Sequence, residues 1–278
     1  MLDPGMQIFY LTDQCDNACA FCICKKHIRE GIGDSPSTIS KKLQALPQDG
    51  IVDIYGGEPT LSEHFMEIVR QAKQKNCFIN IASNACSFSR KDFLEEFVKA
   101  TGDYRDRIFI RLSLHGHTAA LHERHTGRKN SFKEAIDGIR KLKKAGYRLS
   151  MNTVITRHNY QKLREIHRLI DRYEVDVFKL SFLRYTIHNI GLAVSLDDLK
   201  MALPKTLQQV ANSKMAVDLD CIPYCVAPAQ LRCTPRMNTS SSKTTTESSS
   251  PTNAPSVPWS ECVLGSTVST SISLAGKS

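Results

Sequence analysis

Residues 7–22 are QIFYLTDQCDNACAFC, a short apolar stretch followed at once by three cysteines. Cys15, Cys19 and Cys22 are separated by three residues and then by two. Three thiolates are one fewer than the four protein ligands of a structural zinc site or of an ordinary electron-transfer cluster. The spacing therefore predicts an iron–sulfur loop in which three irons are bound by the protein and the fourth is open to a small molecule.

Cys24 is the residue that could turn this loop into a closed zinc site. Only one residue separates it from Cys22, whereas zinc ligands are ordinarily two to four residues apart. The spacing favours an iron–sulfur site, with zinc and unligated thiols as the alternatives. Phe21, directly before the last cysteine, either packs locally or forms a wall beside the open position.

The composition is that of a globular protein with one large domain. The chain has 278 residues, of which 41% are hydrophobic and 23% are charged, so it can bury a sizeable core. No stretch approaches the roughly 18 apolar residues that cross a bilayer, and the N-terminus lacks the pattern of a secretory signal. Ten cysteines in such a chain indicate metal binding in a reducing compartment, and we expect the cytoplasm.

The formal net charge is +9, from 37 basic and 28 acidic residues. A basic balance can favour nucleic acid or an acidic substrate. The charges are nevertheless spread over helical segments such as residues 133–144 and 164–172, which is typical of solvated helix faces. No basic platform with interleaved aromatic residues is visible. We therefore expect neither a nucleic acid nor a membrane as partner.

Short apolar strands alternate with helical patterns from residue 7 to about residue 212. The predicted strands are residues 7–12, 51–55, 77–82, 107–114, 148–155 and 175–183. The predicted helices are residues 38–45, 63–75, 91–100, 132–145, 160–173 and 196–211. Ser131 is the expected N-cap of the fourth helix, and Glu134 would complete a capping box. Six such units predict an α/β fold in which a parallel sheet forms a partial (β/α)6 TIM-like barrel.

Polar motifs follow the first three predicted strands. The cysteine loop follows the first, and the later ones are Gly56, Gly57, Glu58 and Pro59, then Ser83 and Asn84. Because parallel sheets place their ligand sites at the carboxyl ends of the strands, these motifs are expected at one edge. The glycine pair allows close approach to a ligand, and Glu58 would offer an anion to an ammonium group. The alternative is an ordinary Gly-Pro turn with a solvated glutamate.

The composition changes beyond about residue 236. Residues 238–256 are rich in serine and threonine, a composition that cannot bury a core. The sequence therefore predicts a core domain over residues 1–212 and an irregular extension over residues 213–278. Four cysteines lie in this extension: Cys221, Cys225, Cys233 and Cys262.

Over residues 7–212 the chain resembles the radical SAM superfamily, whose members use S-adenosylmethionine (SAM). Its C-x3-C-x2-C loop with a preceding aromatic is matched by Cys15, Cys19, Cys22 and Phe21. Its GGEP motif is matched by residues 56–59. The resemblance implies a [4Fe–4S] cluster on the three cysteines with SAM on its open iron. It also implies that the GGEP backbone and the Glu58 side chain hold the amino group of SAM.

Further SAM contacts follow from the same resemblance. In this family, polar residues at the ends of strands three to five often contact the ribose and the carboxylate of SAM. By position these residues are Ser83, Asn84, Ser113 and Asn152. A structural role in capping a strand end or a turn is the alternative for each of them.

The resemblance implies an enzyme that cleaves SAM reductively and uses the resulting 5′-deoxyadenosyl radical on a peptide or a small cofactor precursor. The electron would come from an external donor of the flavodoxin or ferredoxin type. The loop after the fourth strand contains His115, His117, His122 and His125. These are expected at the surface, with substrate placement or proton transfer as the alternative. Other functions left open are a degenerate or truncated iron–sulfur or zinc-binding protein and an RNA-modifying radical SAM enzyme.

The extension is similar to the opening of a SPASM or twitch domain, which carries auxiliary iron–sulfur clusters. Cys262 and Gly276 are separated by thirteen residues, and the pattern expects another cysteine soon after the glycine. The sequence reaches Ser278 first. An auxiliary cluster on the four cysteines of the extension and unligated thiols are therefore both left open.

Overall fold

Within the residues that the structure describes, the sheet contains eight strands, which are neighbours in the order in which they occur in the chain. They are β1 (Met6–Tyr10), β2 (Ile51–Tyr55), β3 (Phe78–Ser83), β4 (Ile108–Ser113), β5 (Arg148–Ile155), β6 (Val177–Phe182), β7 (Ala216–Asp220) and β8 (Thr270–Ile272). β1 to β7 pair in parallel, and β8 pairs antiparallel with β7. The computed structural model describes residues 5–25, 30–31, 33–223, 225–226 and 270–272. The predicted α/β class is confirmed, and the open parallel sheet is in keeping with a partial barrel.

Helices connect the parallel strands. In the described residues they are α1 (Pro36–Gln44), α2 (Phe65–Gln74), α3 (Lys91–Thr101), α4 (Ala119–Thr126), α5 (Ser131–Lys144), α6 (Leu163–Asp171) and α7 (Leu196–Ala211). On α2, Phe65, Ile68, Val69 and Ala72 are buried at helical spacing, which is the stripe of a helix that packs on a core. The predicted helical periodicity thus corresponds to a packed face.

The strands alternate between an apolar face and a more polar face. On β4, Ile108, Ile110 and Leu112 are almost fully buried and belong to the hydrophobic core, while the residues between them are only half-buried. Successive side chains of a strand point to opposite faces. The apolar face therefore packs in the core, and the other face is available for polar groups.

β7 lies beyond the predicted domain boundary at residue 212. Its sequence, AVDLD, contains two aspartates that interrupt the apolar run from which a strand would be recognised. Asp218 is paired with Lys179 of β6 at 2.9 Å, so the charge on one strand is compensated by its neighbour. The parallel sheet consequently continues to Asp220, beyond that predicted boundary.

Helix α4 was not among the predicted helices. It carries two histidines, His122 and His125, which are both buried. Because histidine counts as polar in a sequence pattern, the buried face of this helix shows no apolar stripe. Only the fold reveals that the histidines are its core side.

The predicted capping box at the start of α5 is wrong. Asn130, with φ 65°, precedes the helix, and Ser131 is its first residue. The Ser131 hydroxyl bonds the Thr126 hydroxyl and donates to the Arg128 carbonyl instead. Glu134 accepts hydrogen bonds from the Arg128 guanidinium rather than capping the helix.

Part of the predicted extension lies outside the described residues. This applies to Cys233, Cys262 and the serine-rich stretch 238–256. Within the described ranges, none of the helices combines the length and the apolarity that a membrane crossing requires.

Candidate cluster and cofactor site

The cysteine loop and the GGEP turn lie against each other at the carboxyl edge of the sheet. Gly57 N donates to Thr12 O and Glu58 N donates to Gln14 O, each at 2.7 Å. A Cβ atom added to Gly57 would lie 2.7 Å from the Gln14 carbonyl carbon and closer still to its oxygen. Since Cβ atoms do not approach backbone so closely, only glycine fits this contact. The turn after β2 thus supports the segment that leads into the cysteine loop.

Glu58 is buried, with 1% of its surface exposed. Its Oε1 accepts from Thr60 Oγ1 at 2.7 Å and from Ser83 Oγ at 2.9 Å, and also from Thr60 N at 3.2 Å. Its Oε2 accepts from Asn84 N at 2.7 Å. Burial raises the pKa of the Glu58 carboxyl, and these hydrogen bonds oppose the rise. The side chain therefore links the β2 turn to the β3 turn through these hydrogen bonds, and its contact with the amino group of SAM stays a prediction.

The residues after β3 form a tight turn. Ser83 donates to Glu58 and accepts from Ala85 N at 3.0 Å. Ala85 has φ 73°, a left-handed conformation that is uncommon for residues other than glycine. The Asn84 side-chain amide donates to Asp16 of the cysteine loop at 2.5 Å. Ser83 and Asn84 thus have structural partners, and Asn84 links this turn to the cysteine loop.

Ser113 and Asn152 are direct neighbours across β4 and β5. Both are half-buried, and Asn152 Oδ1 accepts from Ser181 Oγ at 2.7 Å. They lie on the more polar face of the sheet. The fold thus makes these two of the predicted SAM-contacting residues neighbours on adjacent strands.

The same row of the sheet continues with residues that the sequence did not single out. Lys179 is the register partner of Asn152, and Asp218 is the partner of Lys179. Lys179 Nζ lies 2.9 Å from Asp218 and 3.7 Å from Asp220. The available signal was a lysine and two aspartates inside otherwise apolar strands.

Cys15, Cys19 and Cys22 are half-buried free thiols. Burial raises the pKa of Cys15 to about 11 and that of Cys19 to about 12. A hydrogen bond with Cys24, followed by burial, raises the pKa of Cys22. Because metals bind thiolates, loading this loop would displace protons. Three soft sulfur ligands on one loop fit an iron–sulfur cluster.

Cys24 has a different neighbour. Its Sγ lies 3.1 Å from the Tyr10 hydroxyl at the end of β1, and burial, followed by this contact, raises the pKa of Tyr10. Cys24 therefore contacts β1 as well as Cys22.

The second half of the cysteine loop is attached to the end of α4. Ala18 N donates to Thr126 O at 2.8 Å, and Ala20 N donates to His125 O at 3.2 Å. Gly127 follows with φ 67°, and a Cβ there would lie 3.0 Å from Ala18 O. Backbone contacts therefore fix this part of the loop.

Phe21 packs inward. It is 8% exposed, and its ring meets the His115 ring edge-on with 4.6 Å between the centroids. This arrangement corresponds to the local-packing interpretation of Phe21. The aromatic side chain anchors the loop to the protein immediately before Cys22.

The histidines beneath Phe21 are buried, so the expectation of surface histidines is wrong for His115, His122 and His125. Burial is the main cause that lowers the pKa of all three, to about 4 for His122. His125 Nδ1 lies 2.7 Å from the Leu121 carbonyl and therefore carries the proton, which leaves Nε2 to accept from Thr156 at 2.7 Å. These are neutral core side chains that support the loop.

His122→Gln is expected to flatten the pH dependence of stability. An unfolded histidine titrates near about 6.5, whereas burial lowers the pKa of folded His122 to about 4. Between these values the unfolded chain binds more protons, so the free energy of unfolding falls as the pH decreases. Going from pH 7 to pH 5 should cost the wild type about 2 kcal/mol through this residue, and the variant should lack that part of the loss. Urea unfolding at both pH values measures it, and an unchanged pH dependence would contradict a neutral buried His122.

The sequence model of the radical SAM superfamily matches residues 9–170, which is more than half of the chain. This chain belongs to the radical SAM superfamily. Members of this superfamily bind SAM together with a [4Fe–4S] cluster, and the cysteine loop and GGEP turn described above lie within the matched residues.

Relatives in the superfamily are distant. The AdoMet-dependent heme synthase of Nitratidesulfovibrio vulgaris is 26% identical over 186 residues, which cover 66% of this chain and 49% of that protein. The PqqA peptide cyclase of Rhodopseudomonas palustris is 24% identical over 218 residues, which cover 77% of this chain and 54% of that protein. The chain thus spans about half the length of these curated relatives.

Solved structures show the same fold. Streptococcus suis SuiB bound to S-adenosylmethionine has a TM-score of 0.62 with 18% identity, covering 78% of this chain and 50% of SuiB. SuiB bound to its precursor peptide SuiA has a TM-score of 0.61 with 19% identity, covering 77% of this chain and 48% of SuiB.

Proposed function

We propose that this protein is a radical SAM enzyme that cleaves SAM reductively and modifies a peptide or a small cofactor precursor. The observation that carries the proposal is the contact between the cysteine loop and the GGEP turn. Gly57 and Glu58 bond the two residues, Thr12 and Gln14, that lead into the three free thiols. A ligand held by the turn would therefore lie beside a cluster held by the loop.

The residues fit the two cofactors. Cys15, Cys19 and Cys22 would hold the [4Fe–4S] cluster, since thiolates are its usual ligands. In the described part of the chain no backbone N–H donates to the carbonyl oxygens of Gly56 and Gly57, so these oxygens would be able to accept from the SAM amino group. When bound, the cluster supplies the electron that breaks a carbon–sulfur bond of SAM, which yields methionine and a 5′-deoxyadenosyl radical.

The other site residues have positioning roles in this proposal. Glu58 keeps the GGEP turn in place by bonding Ser83 and the Asn84 amide. Ser113 and Asn152 offer polar groups on the adjacent strands for the ribose and the carboxylate of SAM. Phe21, buried against the histidines, closes the loop from below, which keeps water away from reactive species.

For the substrate, we favour a peptide. One relative is a PqqA peptide cyclase, and the similar SuiB structure contains a precursor peptide. A cofactor precursor is the second class, because another relative is a heme synthase. The electron would come from an external donor of the flavodoxin or ferredoxin type, and an oxygen-sensitive cluster on free thiols suits a reducing compartment such as the cytoplasm.

Cys221 and Cys225 are the described candidates for an auxiliary cluster. They follow β7 at the carboxyl edge of the sheet, and both are exposed. For these two cysteines, and for Cys233 and Cys262, an auxiliary cluster and unligated thiols are the two alternatives, and iron analysis of the reconstituted protein separates them.

SAM cleavage tests the proposal directly. Protein reconstituted anaerobically with iron and sulfide, then given dithionite and SAM, should form 5′-deoxyadenosine and methionine, measured by liquid chromatography and mass spectrometry. Protein without dithionite is the control. A fully loaded protein that forms no 5′-deoxyadenosine, or a purified protein that holds one zinc in place of iron, would overturn the proposal.

A further inference from the structure

Arg128 lies between the cysteine loop and helix α5. Its Nη1 and Nη2 donate to the two carboxylate oxygens of Glu134 at 3.1 and 2.6 Å. Its Nε donates to Asn17 Oδ1 at 2.9 Å, and its Nη2 is 3.6 Å from the Asp16 carboxylate. One guanidinium thus contacts both residues that follow Cys15 and anchors them to α5 through a bidentate pair, which is a strong and directional contact.

The charges around Arg128 explain why a cation is needed there. Oxygen atoms of Asp16 and Glu134 and the Cys86 sulfur lie within 4.8 Å of one another. Two carboxylates at this separation repel each other unless a cation lies between them. Glu134 is held on α5, whereas Asp16 belongs to the cysteine loop. Without Arg128, the repulsion would act to move the loop away from the helix.

Arg128 and Asn84 hold the part of the loop that directly follows Cys15. Residues further along are held by backbone bonds, from Ala18 to Thr126 and from Ala20 to His125. Asp16 and Asn17 are held by side chains, from Asn84 to Asp16 and from Arg128 to both. Arg128 therefore acts on the stretch that connects Cys15 to Cys19.

We propose that Arg128 is a positioning residue that fixes the Cys15–Cys19 half of the loop and so sets where two of the three cluster thiols lie. The assignment rests on the proposed function for its purpose, and on the contacts of Arg128, Asp16, Asn17 and Glu134 for its geometry. Arg128 acts through Asp16 and Asn17 and touches no reacting group.

The test measures how readily each thiol of the full-length, metal-free chain is alkylated by iodoacetamide, residue by residue, by mass spectrometry. Arg128→Gln should raise the alkylation rates of Cys15 and Cys19 about tenfold, the scale of losing a charge-assisted bidentate contact. Cys77, which is fully buried directly before β3, should be alkylated at the wild-type rate. In the reconstituted protein, the same variant should release its iron to a chelator faster.

The charge argument supplies a rescue. In Arg128→Gln combined with Glu134→Gln, the repulsion on Asp16 is gone, so the labelling of Cys15 and Cys19 should return part of the way to wild type. Arg140→Gln is the matched control, since Arg140 on α5 pairs with Asp137 at the surface, and this variant should leave all labelling unchanged. If Arg128→Gln raises Cys77 labelling as well, the variant is globally unfolded, and Arg128→Lys replaces it. Lysine keeps the charge but loses the bidentate pair with Glu134 and the bond to Asn17, so labelling of Cys15 and Cys19 should still rise while that of Cys77 stays at the wild-type rate.

The outcomes separate this inference from the proposed function. Wild-type labelling of Cys15 and Cys19 in Arg128→Gln, or in Arg128→Lys where the first variant unfolds, overturns the positioning role even if the enzyme cleaves SAM. So does a double variant that is no better than Arg128→Gln alone. A wild type that never forms 5′-deoxyadenosine overturns the proposed function and leaves the labelling result standing, because the labelling uses no SAM.

Discussion

Cys19→Ser is expected to abolish the iron–sulfur chromophore and SAM cleavage together. Cys19 is the middle cysteine of the loop, and a [4Fe–4S] cluster held by only two thiols loses a third of its protein ligands. Iron should fall from about four atoms per chain to none after reconstitution, and 5′-deoxyadenosine should fall to the background of the assay. Absorbance near the charge-transfer band, iron analysis and product formation measure the effect.

Two other cysteines provide matched controls for this variant. Cys77→Ser changes a buried thiol whose Sγ donates to the Pro47 carbonyl, away from the loop, and should keep its iron. Cys24→Ala removes the partner of the Tyr10 hydroxyl and should also keep its iron, because Cys24 is not one of the three expected ligands. Loss of the chromophore in Cys24→Ala with retention in Cys19→Ser would show that the ligand assignment is wrong. About four irons remaining in Cys19→Ser would instead indicate an auxiliary cluster.

Gly57→Ala is expected to have the second-largest effect. The added Cβ would lie 2.7 Å from the Gln14 carbonyl carbon and closer still to its oxygen. Both of these are backbone atoms, so they cannot move aside as the end of a flexible side chain would. Overpacking of this kind costs about 1–3 kcal/mol of stability. It would also move the GGEP turn relative to the cysteine loop, and a displacement of about 1 Å can cost about 100-fold in rate.

The measurement is SAM cleavage per bound iron, which separates a displaced turn from an empty loop. Gly191→Ala is the control, because a Cβ there would meet nothing within 4 Å, and it should retain full activity. Wild-type cleavage by Gly57→Ala would show that the turn does not position SAM as proposed.

Much of the fold could be predicted because its signals are local. Ile51–Tyr55 and Arg148–Ile155 were predicted to the residue, since each is a β-branched or apolar run bounded by turns. β7 was missed because Asp218 and Asp220 break the apolar run, and their charge is compensated only by Lys179 from another strand. Helix α4 was missed because its buried face is made of histidines.

In the site, too, local features could be predicted and contacts between distant segments could not. The three cysteines and the glycine pair each lie within a few residues of sequence, so the sequence alone points to the cluster and to SAM. The hydrogen-bond partners of the Glu58 side chain could not be predicted from local sequence, because Ser83 and Asn84 lie at the end of a different strand, β3. Only the fold shows that this carboxylate is buried among those partners, and its contact with SAM stays a prediction.

By itself, the sequence determined the superfamily motifs, the alternation of strands and helices, and the edge of the sheet at which the motifs meet. Only the tertiary structure decided which side chains face the site and which hold it together. Arg128 and Asn17, which are hydrogen-bonded, are 111 positions apart in the chain. Motifs are set by chemistry among neighbours along the chain, whereas such contacts depend on how strands and helices pack, and no local pattern records that.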